Sequence, residues 1–208
     1  MNTIERAIPK HIQGIKKRFT EVRKFITVED ANLCYDHAIA RLLNINHWDA
    51  ISAADKGIFQ LMSEKMKMQR RKTKLGDYVR IGIPGPDNTG GSGYDWVQVK
   101  DLKFSSGRRK EQCLLTLMPC PVPGGTSTAH FLSSQSSSTF LLTRDNRVVS
   151  ADYYGHNEMP NTDTEGIKAT LRNVVVAAGA IAGLSDTLWG PLTKGLLMDG
   201  AELRSRQS

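Results

Sequence analysis

Two runs of cations are the residues best placed to do chemistry in this chain: Lys16, Lys17, Arg18, Arg23 and Lys24 near its start, then Lys65, Lys67, Arg70, Arg71, Lys72 and Lys74. Such side chains hold phosphates and carboxylates through charge-assisted hydrogen bonds. Residues 65–74 contain six cations and no acidic residue, whereas a solvated helix face ordinarily mixes both signs to gain i,i+4 pairing. The whole net charge of +7 lies in the same part of the chain: residues 1–75 hold 15 Lys and Arg against 8 Asp and Glu, and residues 76–208 hold 13 of each. This partition predicts a surface for an anionic partner, either a nucleic acid or an acidic protein. No recognition-helix signature, zinc spacing, RNP motif or GXXG loop accompanies it, so nucleic-acid contact would be directed to the backbone.

A second group has the residue types for acid–base work. His156 and Glu158, joined by His130, Arg144 and Arg147, would give a metal-independent nuclease its proton-exchanging pair and its cations for a developing phosphorane charge. The same His-Asn-Glu stretch before Pro160 also makes a polar turn, and a lone histidine is more often structural than catalytic. The leading expectation is therefore a non-enzymatic interaction module that binds through basic N-terminal helices. A small nuclease or toxin-like effector is the alternative, and a structural or assembly subunit binding protein through an Ala/Gly-rich helix at 167–184 is a third reading.

Neither metal nor cofactor is expected. His37 beside Asp36 and His47 near Asp49 lack the spacing of a zinc site. The Gly/Pro stretch from Ile83 to Gly93 leads into a strand and has no phosphate-loop Lys, so it reads as a hairpin connection. Tyr94, Trp96, Tyr153 and Tyr154 offer either a stacking platform or ordinary sheet packing.

Positioning these residues requires an α+β fold. After Pro9, Ile12, Ile15, Phe19, Val22 and Ile26 recur at helical spacing, with Lys10, Lys17 and Lys24 opposite them. Thr27 with Asp30 caps a second helix containing Leu33, Cys34, Ala38, Ile39, Leu42 and Leu43. Ser52 with Asp55 starts a third, carrying Ile58, Leu61, Met62 and Met66, so residues 1–72 read as three antiparallel helices. Alternation then predicts about six strands, at 78–83, 94–102, 112–118, 128–133, 139–144 and 147–154, forming an antiparallel meander that is curled or barrel-like. Asp145-Asn146 is the expected turn of the last hairpin. Thr162 and Glu165 cap a further helix, Pro191 opens a final short one, and these C-terminal helices pack on the sheet. The expected division is a basic helical segment, 1–74, and a sheet-containing segment, 75–208, packed either together or as separate lobes.

At 39% apolar and 24% charged residues, with a mean hydropathy of −0.35, the composition is that of a soluble globular protein. Cys34, Cys113 and Cys120 form no CxxC pair, and charges interrupt every apolar stretch near the N-terminus. Both features favour a cytoplasmic protein. The longest apolar run, 174–184, is too short to cross a bilayer. The oligomeric state is left open by the sequence.

Overall fold

The computed structural model describes residues 4–52, 58–82, 89–162, 185–200 and 202. Among them are seven strands, β1 (Ile15–Lys24), β2 (Ile58–Met62), β3 (Tyr78–Gly82), β4 (Asp95–Ser106), β5 (Lys110–Pro119), β6 (Ser137–Asp145) and β7 (Val148–Glu158). The three α-helices are α1 (Val28–Leu43), α2 (Trp48–Ser52) and α3 (Ser185–Leu196). The strands form one sheet in the order β1-β7-β6-β5-β4-β3-β2, with every neighbouring pair antiparallel.

Alternation along the long strands sends Val97, Val99, Cys113, Leu115, Leu117, Phe140, Leu142, Val149, Ala151 and Tyr153 to one face. There they meet Ala31, Tyr35, Ala38 and Leu42 of α1, together with Trp189, Leu192 and Leu196 of α3. α1 begins where the side chain of Thr27 accepts from the backbone N–H of Asp30 at 3.1 Å, satisfying a donor that the first helical turn would otherwise leave open.

The core also shows how the sheet bends. Trp189 lies 5.5 Å from the Tyr153 ring on β7 and 5.8 Å from the Phe59 ring on β2. Those strands stand five places apart in the sheet order, about 24 Å in a flat sheet. Both can reach one indole only because the sheet curls around α3. Trp48, Phe59, Phe140 and Tyr153 thus all pack against Trp189 with ring centroids between 5.5 and 6.4 Å.

The opposite face is covered over β5–β7 by an N-terminal strap, residues 4–13. Ile4 packs there with Leu114 and Leu141. The strap is fastened by Asn157, whose Oδ1 accepts from the N–H of Ile12 at 2.7 Å and of Gln13 at 3.3 Å, while its Nδ2 donates to the Lys10 carbonyl at 2.9 Å. Gly14 then needs its freedom at φ +73, because a Cβ there would lie 2.6 Å from the Glu158 carbonyl oxygen.

Three expectations are corrected. The first expected helix is the strand β1: of the apparent stripe only Phe19 packs against the main core, while Ile12, Val22 and Ile26 are 80%, 48% and 88% exposed. Ile15 and Phe19, four residues apart, suit a period of 2 as well as one of 3.6, and pairing with β7 decides between them. The third helix, expected from a cap at Ser52 and Asp55, gives way to β2 and a loop, residues 63–77, suspended from the Met62–Tyr78 pair; α2 ends at Ser52, and residues 53–57 lie outside the described residues. The strand expected at 128–133 makes only isolated bridges, Pro121 to Thr128 and Leu132 to Pro160, since proline cannot donate to a ladder.

Smaller shifts accompany these. The β6–β7 turn is centred on Asn146 and Arg147, with Asn146 at φ 55, and Pro191 lies inside α3 instead of opening it. Residues 167–184, the proposed assembly helix, lie outside the described residues. β2 and β3 pair across the division expected at residue 74, and the main core draws on both sides of it.

Candidate anion-binding surface

The two cationic runs are separated by the fold. β1 stands at one end of the sheet order, while residues 65–74 lie between β2 and β3 at the other. α1 bridges the distance: it starts just after β1, and at its far end the Leu43 carbonyl accepts from the N–H of Thr73 at 2.8 Å. Sixteen helical residues span about 24 Å, so Arg23 and Lys24 do not adjoin Arg70 to Lys74.

On β1 the cations have unequal surroundings. Lys16, Arg18 and Lys24 take the exposed positions of the strand, while Arg23 is half-buried. Arg18 donates to Asp152 at 3.0 Å and lies over the Tyr154 ring, and the hydrogen bond to Asp152 pushes its pKa up. Arg23 donates to the Leu197 carbonyl at 2.8 Å and to Glu202 at 2.9 Å, bracing the chain just beyond α3. Lys17 is also engaged.

The 63–77 loop is ordered from beneath. Asn46 ties it to β2, donating to the Gln69 carbonyl of the loop at 2.7 Å and accepting from the Leu61 N–H of β2 at 2.8 Å. Arg71 grips the buried Asp77 with two hydrogen bonds of 2.6 and 2.8 Å, and Asp77 also accepts from the Lys74 N–H at 2.9 Å. Bidentate geometry fixes direction as well as distance. Lys65, Lys67, Arg70, Lys72 and Lys74 remain exposed, with no ion pair among the described residues. These cations are visible in the sequence. Met66, expected on the apolar face of a helix, instead shares the loop with Met68 and Leu75, and the three are 46%, 46% and 61% exposed.

The residues of the acid–base group have different partners. Glu158 accepts from the Tyr153 hydroxyl at 3.5 Å on the core side of β7, in space that a Cβ on Gly155 would fill. His156 meets the strap instead. Its Nδ1 lies 2.6 Å from the Pro9 carbonyl, which can only accept, so that nitrogen carries the proton. Arg144 is opposite Val149, seven residues and about 23 Å along β7 from His156, and is buried in an ion pair with Glu111. Arg147 donates to the Ile26 carbonyl, and His130 Nδ1 accepts from the N–H of Leu132.

The aromatics do not form an open platform either. Trp96 and Tyr153 are buried, Tyr94 lies under Arg80 and Tyr154 under Arg18. Among the described residues no three of His, Cys, Asp and Glu gather as metal ligands, and no helix is long and apolar enough to cross a membrane.

No family model matches the chain, and no curated protein matches it. Among solved structures it is similar to the hypothetical protein jhp0584 from Helicobacter pylori, at 10% identity over 86% of each chain with a TM-score of 0.45. It is also similar to the Zhui aromatase/cyclase from Streptomyces sp. R1128, at 9% identity over 93% of this chain and 97% of that one, with a TM-score of 0.44. A third is major latex-like protein 151 from Panax ginseng, at 10% identity over 84% of this chain and 99% of that one, with a TM-score of 0.32. Likenesses this distant leave function to be argued from the chain's own residues.

Proposed function

We propose that this protein is a non-catalytic binding module that holds a polyanionic partner on the loop between β2 and β3. The supporting observation is the set of five exposed cations on a backbone fastened by Asn46, Arg71 and Asp77. Ordering the loop in advance lowers the entropy lost when its side chains engage a partner. Arg71 acts as an internal strut while the other five cations face outward. The cations of β1 are outside this surface: Arg18 and Arg23 serve internal pairs, and Lys16 and Lys24 lie at the far end of the sheet order.

The test compares two charge reversals of equal size by elution from a heparin column. Lys67→Glu/Lys72→Glu is expected to elute at markedly lower salt than the parent, and Lys16→Glu/Lys24→Glu close to it. Equal losses in the two variants would refute the assignment to the loop. If all five cations contact phosphates on a duplex probe, log K falls against log salt with a slope of about −4 to −5.

A further inference from the structure

We infer that the partner of this loop is the surface of an anionic phospholipid bilayer, with Met66, Met68 and Leu75 entering the interface while the neighbouring lysines hold lipid phosphates. The inference rests on the anion-binding reading and adds the class of partner.

The apolar side chains carry the argument. Met66 stands at the tip of a turn in which its N–H donates to the Ser63 carbonyl and Ser63 N–H donates to the Lys67 carbonyl. Its φ is 56, a left-handed conformation that glycine or asparagine adopts at lower cost. A long apolar side chain there is strained and is 46% exposed, so the fold gains little from it. Leu75, 61% exposed, occupies the second turn of the loop, where Asp77 N–H donates to the Lys74 carbonyl and Gly76 sits at φ 84. Each turn thus presents an apolar residue beside lysines: Met66 between Lys65 and Lys67, Leu75 next to Lys74.

Cations ringing exposed apolar side chains match the layering of an anionic membrane face, with phosphates outside and acyl chains beneath. A single-stranded nucleic acid would instead call for aromatic rings to stack on its bases, and residues 63–77 contain none. Asn46 and the Arg71–Asp77 pair hold the loop firmly enough for its tips to be pressed into an interface without collapsing.

Co-sedimentation with phosphatidylcholine vesicles and with mixed phosphatidylcholine–phosphatidylserine vesicles tests the inference. The parent should bind the mixed vesicles and not the neutral ones. Met66→Gly/Met68→Ser/Leu75→Ser should weaken that binding about a hundredfold while leaving heparin elution unchanged. Met66→Gly alone should weaken it about tenfold without lowering the melting temperature, because glycine relieves the left-handed strain. Vesicle binding that is absent or unaltered in the triple variant overturns the bilayer assignment, as does tighter binding of random-sequence RNA at the same salt. If Lys67→Glu/Lys72→Glu changes neither heparin elution nor vesicle binding, the underlying anion-binding reading fails as well.

Discussion

Replacing Asn157 by alanine tests whether one side chain fastens the N-terminal strap to the sheet. Asn157 is buried, lies at φ 56, and closes three hydrogen bonds to the backbone of residues 10–13, the shortest 2.7 Å. At about 1 kcal/mol net for each well-formed bond, and less for the 3.3 Å contact to Gln13, their loss costs about 2–3 kcal/mol. Alanine also tolerates the left-handed backbone less well than asparagine, adding about 1 kcal/mol. For a chain of this size the combined loss corresponds to a fall of about 6–16 °C in melting temperature. Urea and thermal unfolding measure the magnitude, and native-state hydrogen exchange shows where it falls. Amides of residues 4–13 should lose protection first, because Ile4 then leaves its packing with Leu114 and Leu141. Asn157→Asp keeps the acceptor contacts to Ile12 and Gln13 but turns a second oxygen toward the Lys10 carbonyl, so it should recover little of the stability that alanine loses at neutral pH and more of it in acid, where the protonated carboxyl can donate. A variant within about 0.5 kcal/mol of the parent, or one destabilised without deprotection of the strap, would refute the reasoning.

Gly195→Ala should destabilise by about 1–3 kcal/mol or more in urea unfolding, because its Cβ would collide with the Ile51 carbonyl oxygen, and backbone on both sides limits relief. Trp189→Ala should cost about 3–5 kcal/mol by the same measurement, since it removes the ring shared by four aromatic neighbours. Burial pushes the thiols of Cys113 and Cys120 up to about 12, so in native protein at pH 8 a disulfide reagent should titrate Cys34 alone, and slowly because burial raises its pKa too. Lys110, donating to Glu5 at 3.0 Å, holds that carboxyl below its usual range despite partial burial. The resulting stability is present above the unfolded value of about 4.3 and disappears as pH falls through the lower folded one, so acid unfolding of Glu5→Gln should have a shallower slope in that window.

The sequence was most legible where one local signal settled one local structure. The Thr27 cap with Ala38, Leu42 and Leu43 marks α1, although Ala31 and Tyr35 complete its buried face and Leu33, expected there, is 57% exposed; β3 through β7 announce themselves by alternation. β1 was misread because its decisive partner, β7, lies more than a hundred residues away, and because Lys17, Glu21 and Arg23 occupy inward positions with aliphatic stems that a hydrophobicity pattern ignores. β2 was missed for another reason: Phe59, Leu61 and Met62 are all buried, so no alternation survives, and a short apolar run fits a helix equally well. In the candidate surface, charge composition was visible but conformation was not. What makes residues 65–74 a loop is Asn46 and Asp77, ordinary polar residues whose partners only folding reveals.

The cations left behind on β1 acquire a different meaning from its place at the margin of the sheet. Among the described residues it has a neighbouring strand on one side only, so its outer backbone groups form a ready template for another chain. Lys16 and Lys24 stand along that margin, with Arg18 between them. Exchanging the two lysines for threonine or valine should leave the chain folded yet let molecules associate margin to margin, making these residues guardians of colloidal solubility.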